Sequence, residues 1–322
     1  MTTLSPSSLR SPLILGCMHL GGSWGTDPLS SGAIQNTLEC IRTALDGGIT
    51  LFDHADIYCL GKSEEAFSHA WSELGLNRDA VELQSKCGIR RTGEPTSDAP
   101  HRFDFSYDHI TTSVQKSLER LRTSYLDLLL LHRPDPLADL EDVARAFTDL
   151  RSQGLVTHFG VSNFNAAQIA LLQSALSEPL RVNQLEFNLL QNDLLDEGAT
   201  VNNIQQRHSY RGDGTLEYCR LHGITVQAYS PVARGQLTPA ADNADERTKN
   251  AARILAEMAR TKHISPETLL LAWILRHPAG IRPVIGSTKP TRISGMVQAP
   301  GVQLSREEWY TLYLAGRGRD LP

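Results

Sequence analysis

Much is missing from this 322-residue chain, and each absence narrows what it can be. No CxxC pair occurs. The five cysteines, Cys17, Cys40, Cys59, Cys87 and Cys219, are odd in number and scattered. That pattern argues against a disulfide framework and for a reduced, cytoplasmic setting. There is no polybasic tract and the net charge is −5, so neither nucleic acid nor an anionic membrane is expected as a partner. No apolar run approaches the roughly 18 residues of a membrane span. The opening M-T-T-L-S-P-S-S-L-R has no apolar stretch of the secretory-leader kind. No long linker or low-complexity block divides the chain, which predicts one domain over 1–322. The glycine fingerprint G-x-G-x-x-G is absent, since G-C-M-H-L-G-G from Gly16 has the wrong spacing. That lowers a doubly wound dinucleotide-binding sheet.

What is present is an alternation. Hydrophobic residues make up 40% of the chain, enough for a sizeable core. Eight short apolar runs, at 13–17, 49–53, 81–86, 126–132, 158–162, 182–186, 224–229 and 282–286, read as strands. Helical patterns separate them. Ile34, Leu38, Ile41 and Leu45 keep helical spacing, and Gly47 and Gly48 stop that helix. Asp139, Asn165 and Ser265 stand where caps are needed, the last followed by Pro266 and Glu267. Ser305 and Glu308 form a capping box for a final helix, part of a C-terminal extension over about 303–322. Eight strands alternating with helices predict an α/β fold, a single (β/α)8 TIM barrel. In such a barrel the active site lies at the C-terminal ends of the strands, and here nearly every run ends in polar or glycine residues.

Three of those ends carry chemistry. Asp53 and Tyr58 follow the second run, Lys86 closes the third and His132 closes the fourth. Neighbouring parallel strands lie about 4.8 Å apart, so the four side chains can meet in one pocket. Taken singly, each is more often a turn, rim, surface or core residue. Together on consecutive strand tips they suit proton delivery to a carbonyl oxygen. A free tyrosine has a pKa of roughly 10, and a nearby ammonium lowers it. Lys86 is the expected ammonium, Asp53 its anchor and Tyr58 the proton donor. His132 is expected to hydrogen-bond the carbonyl oxygen. His54 and Asp56 are read as structural, with His54 turned away from the site.

The segments F-D-H-A-D-I-Y, S-K-C-G, L-H-R-P, G-V-S-N-F, N-Q-L-E and A-Y-S-P, in that order, resemble the aldo-keto reductase superfamily from about residue 12 to about residue 298. The wording is most similar to a bacterial branch of monomeric, NADPH-dependent reductases. The resemblance implies a barrel that binds an extended nicotinamide dinucleotide without the glycine fingerprint. It implies that Asp53, Tyr58, Lys86 and His132 are the catalytic tetrad. Ser162, Asn163 and Gln184 would hold the nicotinamide carboxamide, and Tyr229 would stack on its ring, with Ser230 beside it in the cofactor site. Gly286, Ser287, Thr288, Lys289 and Arg292 would bind the 2′-phosphate and adenosine. Lys289 and Arg292 favour NADPH/NADP+ over NADH.

The expected function is therefore NADP(H)-dependent reduction of a small aldehyde or ketone by a monomer or weak oligomer. Two other readings share the barrel: a non-catalytic nicotinamide-binding regulatory subunit, and a Schiff-base aldolase using Lys86. A metal-dependent hydrolase ranks last, because no H-x-H stands at the first strand. The chain departs from the family after Arg292. I-S-G-M-V-Q-A stands where an acidic residue and an asparagine often contact adenine. Trp24 is a candidate apolar wall of the substrate pocket. The stretch 90–105 is expected to overhang the pocket mouth. The long polar stretch 188–215 is a candidate lid.

Overall fold

The computed structural model describes residues 11–200 and 213–322. Eight parallel strands close into a barrel. They are β1 (Ile14–Gly16), β2 (Leu51–Asp53), β3 (Glu82–Cys87), β6 (Leu126–Leu131), β7 (Val156–Ser162), β8 (Val182–Glu186), β9 (Thr225–Tyr229) and β10 (Arg282–Ile285). The circuit runs β1-β10-β9-β8-β7-β6-β3-β2. Closure pairs Ile14 with Val284 and Leu15 with Phe52. All eight expected runs form strands of the barrel, and the observed strands are shorter at several ends. His132 falls one residue beyond β6.

The pleat sends alternate side chains to opposite faces. Leu13, Leu15, Phe52, Leu83, Leu129, Leu131, Phe159 and Val161 face outward into the main core beneath the helices. Ile14, Leu51 and Val284 form a separate cluster, as do Leu128, Leu130 and Val182. These fill the barrel interior, as branched residues do in this architecture. The same alternation sends Asp53, Gln84, Lys86, Gln184 and Gln227 inward, above that apolar plug. His54 is turned outward, where its ring meets the Phe67 ring edge-on at 4.8 Å.

Several helices begin at side-chain caps, four of them where the sequence places one. Ser30 accepts from Ala33 N at the start of α1 (Ser31–Asp46). Asp139 caps α4 (Leu140–Ser152), and Asn165 with Gln168 forms a capping box for α5 (Ala166–Ala175). Ser265 and Pro266 open α9 (Pro266–Leu275). Ser305 and Glu308 form the capping box of α11 (Arg306–Arg317). That last helix is tied down on two sides. The Trp309 and Trp273 rings stack at 5.4 Å, and each indole N–H donates to the other residue's carbonyl. Tyr313 donates to Asp196 Oδ1 at 3.0 Å, and Arg317 pairs with the same carboxylate.

Two stretches carry structure of their own. The first follows β3. It carries a hairpin, β4 (Ile89–Arg90) with β5 (Arg102–Phe103), paired antiparallel. Arg90 pairs with Asp104 at 2.5 Å, and Phe105 N donates to Asp135. These contacts hold the hairpin against the body of the barrel. The segment 188–215 carries α6 (Asp193–Ala199) and the start of α7 (Thr215–Leu221). Its part from 201 to 212 lies outside the described residues.

Candidate active site

At the strand tips an ion pair is buried. Lys86 Nζ lies 2.9 Å from Asp53 Oδ2 and 2.7 Å from Oδ1. It also donates to the His54 carbonyl at 2.8 Å and to the Tyr58 hydroxyl at 3.0 Å. Asp53 is 3% exposed, Lys86 1% and Tyr58 9%. These depths follow from the register, which pairs Asp53 with Gln84 and Lys86 with Leu130.

Burial pulls the Lys86 amine down, but Asp53 and Tyr58 together push it above the ordinary lysine range. For Tyr58 the balance differs from the sequence expectation. Burial raises its pKa, Lys86 lowers it and Asp53 raises it again, and the net direction is upward. The ammonium does favour the phenolate, as anticipated, but desolvation outweighs it. At neutral pH the phenol therefore keeps its proton. His132 is driven well below 6.5 by burial, Lys86 and Arg133, so its imidazole is neutral. Its ring meets Tyr58 edge-on at 5.9 Å.

Backbone strain collects around these groups. Cys59 and Leu60, the two residues after Tyr58, have φ of 47° and 63°. Asn163 and Ser230, just past β7 and β9, have φ of 64° and 51°. Left-handed backbone is uncommon for residues with a Cβ, and it clusters at functional sites.

A cavity of about 780 Å3 opens above the ion pair. Trp24, Asp53, Tyr58, His132, Ser162, Asn163, Gln184, Tyr229, Ser230, Gly286, Ser287, Thr288, Lys289 and Arg292 all line it. Lys86 is the one predicted site residue outside that lining, because it lies beneath Asp53 and Tyr58. Trp24 meets the Tyr58 ring edge-on at 6.5 Å and is 43% exposed. Asn163 accepts from the Tyr229 hydroxyl at 2.9 Å and donates to Ser162 Oγ and the His132 carbonyl. Gln184 Nε2 donates to Asp53 Oδ1 and Gln227 Oε1, which leaves its Oε1 free among the described residues. Lys289 and Arg292 are exposed on the cavity side and make no ion pair among the described residues.

Sequence reasoning missed other lining residues. Arg133 directly follows His132, and Arg234 follows the Y-S-P segment, so adjacency to a motif was the available signal. Gln84 and Gln227, which bond Asp53 or its neighbours, carried no local signal. None of the residues 90–105 lines this cavity, so the hairpin does not overhang it as expected. Several border a separate cavity with Asp56 and His109. Among the described residues there is no group of His, Cys, Asp and Glu fit for a metal, and no helix long and apolar enough to cross a membrane.

The structure is thus a closed parallel barrel with a buried lysine, aspartate and tyrosine at its C-terminal mouth. The Aldo/keto reductase family model matches residues 12–313, and the chain belongs to that family. It is 38% identical over 288 residues to the uncharacterized oxidoreductase YcsN of Bacillus subtilis, covering 88% of this chain and 89% of that one. It is 32% identical over 319 residues to a 6-dehydroglucose reductase of Agrobacterium fabrum, covering 99% and 98%. The solved structure of a glycerol dehydrogenase from Gluconobacter oxydans superimposes with a TM-score of 0.77 at 25% identity, covering 95% and 92%.

Proposed function

We propose that this protein is an NADPH-dependent reductase of a small aldehyde or ketone, with Tyr58 as proton donor. The observation that carries the reading is the Lys86 ammonium, which touches the Asp53 carboxylate and the Tyr58 hydroxyl at once. The residues also suit the cofactor that this family uses. Lys289 and Arg292 are cations without carboxylate partners among the described residues, on one side of the cavity, fit for a 2′-phosphate. Gln184 offers a free amide oxygen beside Ser162 and Asn163, fit for a carboxamide. Tyr229 offers an aromatic face with its hydroxyl fixed to Asn163.

Bound NADPH supplies the hydride for the carbonyl carbon. The chain's own part is the oxygen. His132, neutral, donates a hydrogen bond to the carbonyl oxygen and orients it. Tyr58 gives up its proton as charge develops on that oxygen. Lys86 stabilises the phenolate left behind, and Asp53 holds Lys86 in place. General acid catalysis of this kind is worth about 10²–10⁴-fold. Trp24 walls one side of the substrate space.

The test is the purified protein with NADPH and a panel of aromatic, dicarbonyl and sugar aldehydes, following the loss of NADPH absorbance. Turnover is expected on at least one class. Tight NADPH binding with no turnover on any of them would replace this reading with that of a nicotinamide-binding regulatory subunit.

A further inference from the structure

Beside the ion pair, against Asp53, lies a cluster of three buried glutamines. Gln84, Gln184 and Gln227 project inward from β3, β8 and β9, and each is 2% exposed or less. Gln84 Nε2 donates to Asp53 Oδ1 at 2.5 Å and to Gln227 Oε1 at 2.9 Å. Gln184 Nε2 donates to the same two acceptors at 3.1 and 2.9 Å. Gln227 Nε2 returns a bond to Gln84 Oε1 at 2.8 Å. The direction of every amide is determined. A carboxylate can only accept, so Gln84 and Gln184 must present nitrogen to Asp53, and Gln227 must present oxygen between them.

Glutamine is seldom fully buried, and a buried amide without partners is costly. The positions just below are filled by Ile14, Leu51, Val284, Leu128, Leu130 and Val182, so apolar packing was open to this cluster too. The amides instead converge on one carboxylate oxygen. Their N–H dipoles take up part of the Asp53 charge that otherwise bears on Tyr58, which lies on the far side of Lys86.

We infer that Gln84 and Gln227 are positioning residues that set the acidity of Tyr58 through Asp53, and that they couple it to Gln184 and so to nicotinamide binding. The coupling to cofactor rests on the function proposed above; the control of Tyr58 does not. The direction is fixed by charge. Removing an N–H donor from Asp53 leaves more negative charge facing Tyr58, which disfavours the phenolate and raises its pKa.

The experiment compares wild type with Gln84→Met and Gln227→Met, both close in volume and without polar hydrogens. The pH profile of alcohol oxidation with NADP+ rises as the phenolate forms and reads the apparent pKa of Tyr58. Gln84→Met, which loses a direct donor to Asp53, should move that rise to higher pH by roughly 0.5–1 unit, the scale of one hydrogen bond. Gln227→Met should move it the same way by less. Both should weaken NADP+ binding several-fold, read by fluorescence. Unchanged profiles and unchanged NADP+ binding, with only a lower melting temperature, would reduce the cluster to barrel filling and overturn the inference. If the wild type proves to have no turnover, the proposed activity is what fails. The Tyr58 titration is then read from phenolate ultraviolet absorbance, as the difference between each protein and its Tyr58→Phe counterpart, and an unshifted difference titration overturns the inference equally.

Discussion

Lys86 Nζ stands 3.0 Å from the Tyr58 hydroxyl, and it has no hydrogen left for any other partner. Its remaining two go to Asp53 and the His54 carbonyl. An ammonium saturated in this way, with its pKa pushed upward, is a poor nucleophile. The Schiff-base reading of Lys86 therefore lacks its reagent, while the role of charge beside a phenol is fully supplied.

Tyr58→Phe should lower turnover by about 10²–10⁴-fold, the usual worth of a general acid. The ring edge contacts to Trp24 and His132 remain, so NADPH affinity should stay within about twofold. Steady-state rates and fluorescence quenching measure the two separately. Undiminished turnover would move the donor elsewhere, with His132 the first residue to consider.

Lys86→Met should cost both activity and stability. It leaves the Asp53 carboxylate buried without its cation, a change worth about 3–5 kcal/mol. Adding Asp53→Asn to it should restore much of the denaturation midpoint and none of the turnover. A double variant no more stable than the single one would mean that the loss came from packing rather than from the stranded charge.

Lys289→Ala and Arg292→Ala test the cofactor assignment. A hydrogen bond to a charged group is worth about 1.5–3 kcal/mol, so each change should raise the KM for NADPH by about tenfold or more. The KM for NADH, which has no 2′-phosphate, should hardly move. Equal losses with both cofactors would place these side chains elsewhere than at the 2′-phosphate.

Stability should fall on the acid side, and His54 should account for one share of it, beside His132 and the other buried histidines. Burial pushes the His54 pKa down to about 3, and its two ring nitrogens have no hydrogen-bond partner among the described residues. His109 and His277 are lowered to about 4 for the same reason. An unfolded histidine takes a proton near pH 6.5, roughly, whereas these folded ones do not until well below. Between those values the unfolded chain binds more protons, so stability drops as pH falls from about 6.5. His54→Leu should lessen the fall in melting temperature between pH 7 and pH 5, with the other buried histidines supplying the rest. Asp56 acts in the opposite sense. Burial and Glu64 push its carboxyl up to about 7, so its share of stability is lost as pH rises through that value. Asp56→Asn should therefore gain most at pH 8. Thermal unfolding of the three proteins across this range decides the matter, and parallel curves for wild type and His54→Leu would refute the assignment.

The four candidate catalytic residues were legible because they sit at or just past the ends of apolar runs, where a polar residue is conspicuous. Ser162, Asn163, Gln184 and the 286–292 segment became cofactor-site candidates through family wording. Gln84 and Gln227 were not, since a glutamine within a strand-like run looks like an ordinary outward-facing polar residue until the register turns it inward. The hairpin between Ile89 and Phe103 escaped notice because two-residue strands leave no period to detect. His54 was placed correctly by parity alone: one residue past an inward Asp53, it had to face the helices.

By itself the sequence determined the alternation of eight strands and their helices, the caps that start those helices, and which residues stand at the strand tips. These are local properties, set by spacing and side-chain type. Tertiary structure alone decided that β1 closes against β10, that Gln84 meets Gln227 across 143 residues of chain, and that the Tyr58 pKa moves up rather than down. The last depends on a contest between an ammonium at 3.0 Å and the loss of water around the phenol. Spacing can announce the ammonium, but only the packed barrel determines how dry the phenol becomes.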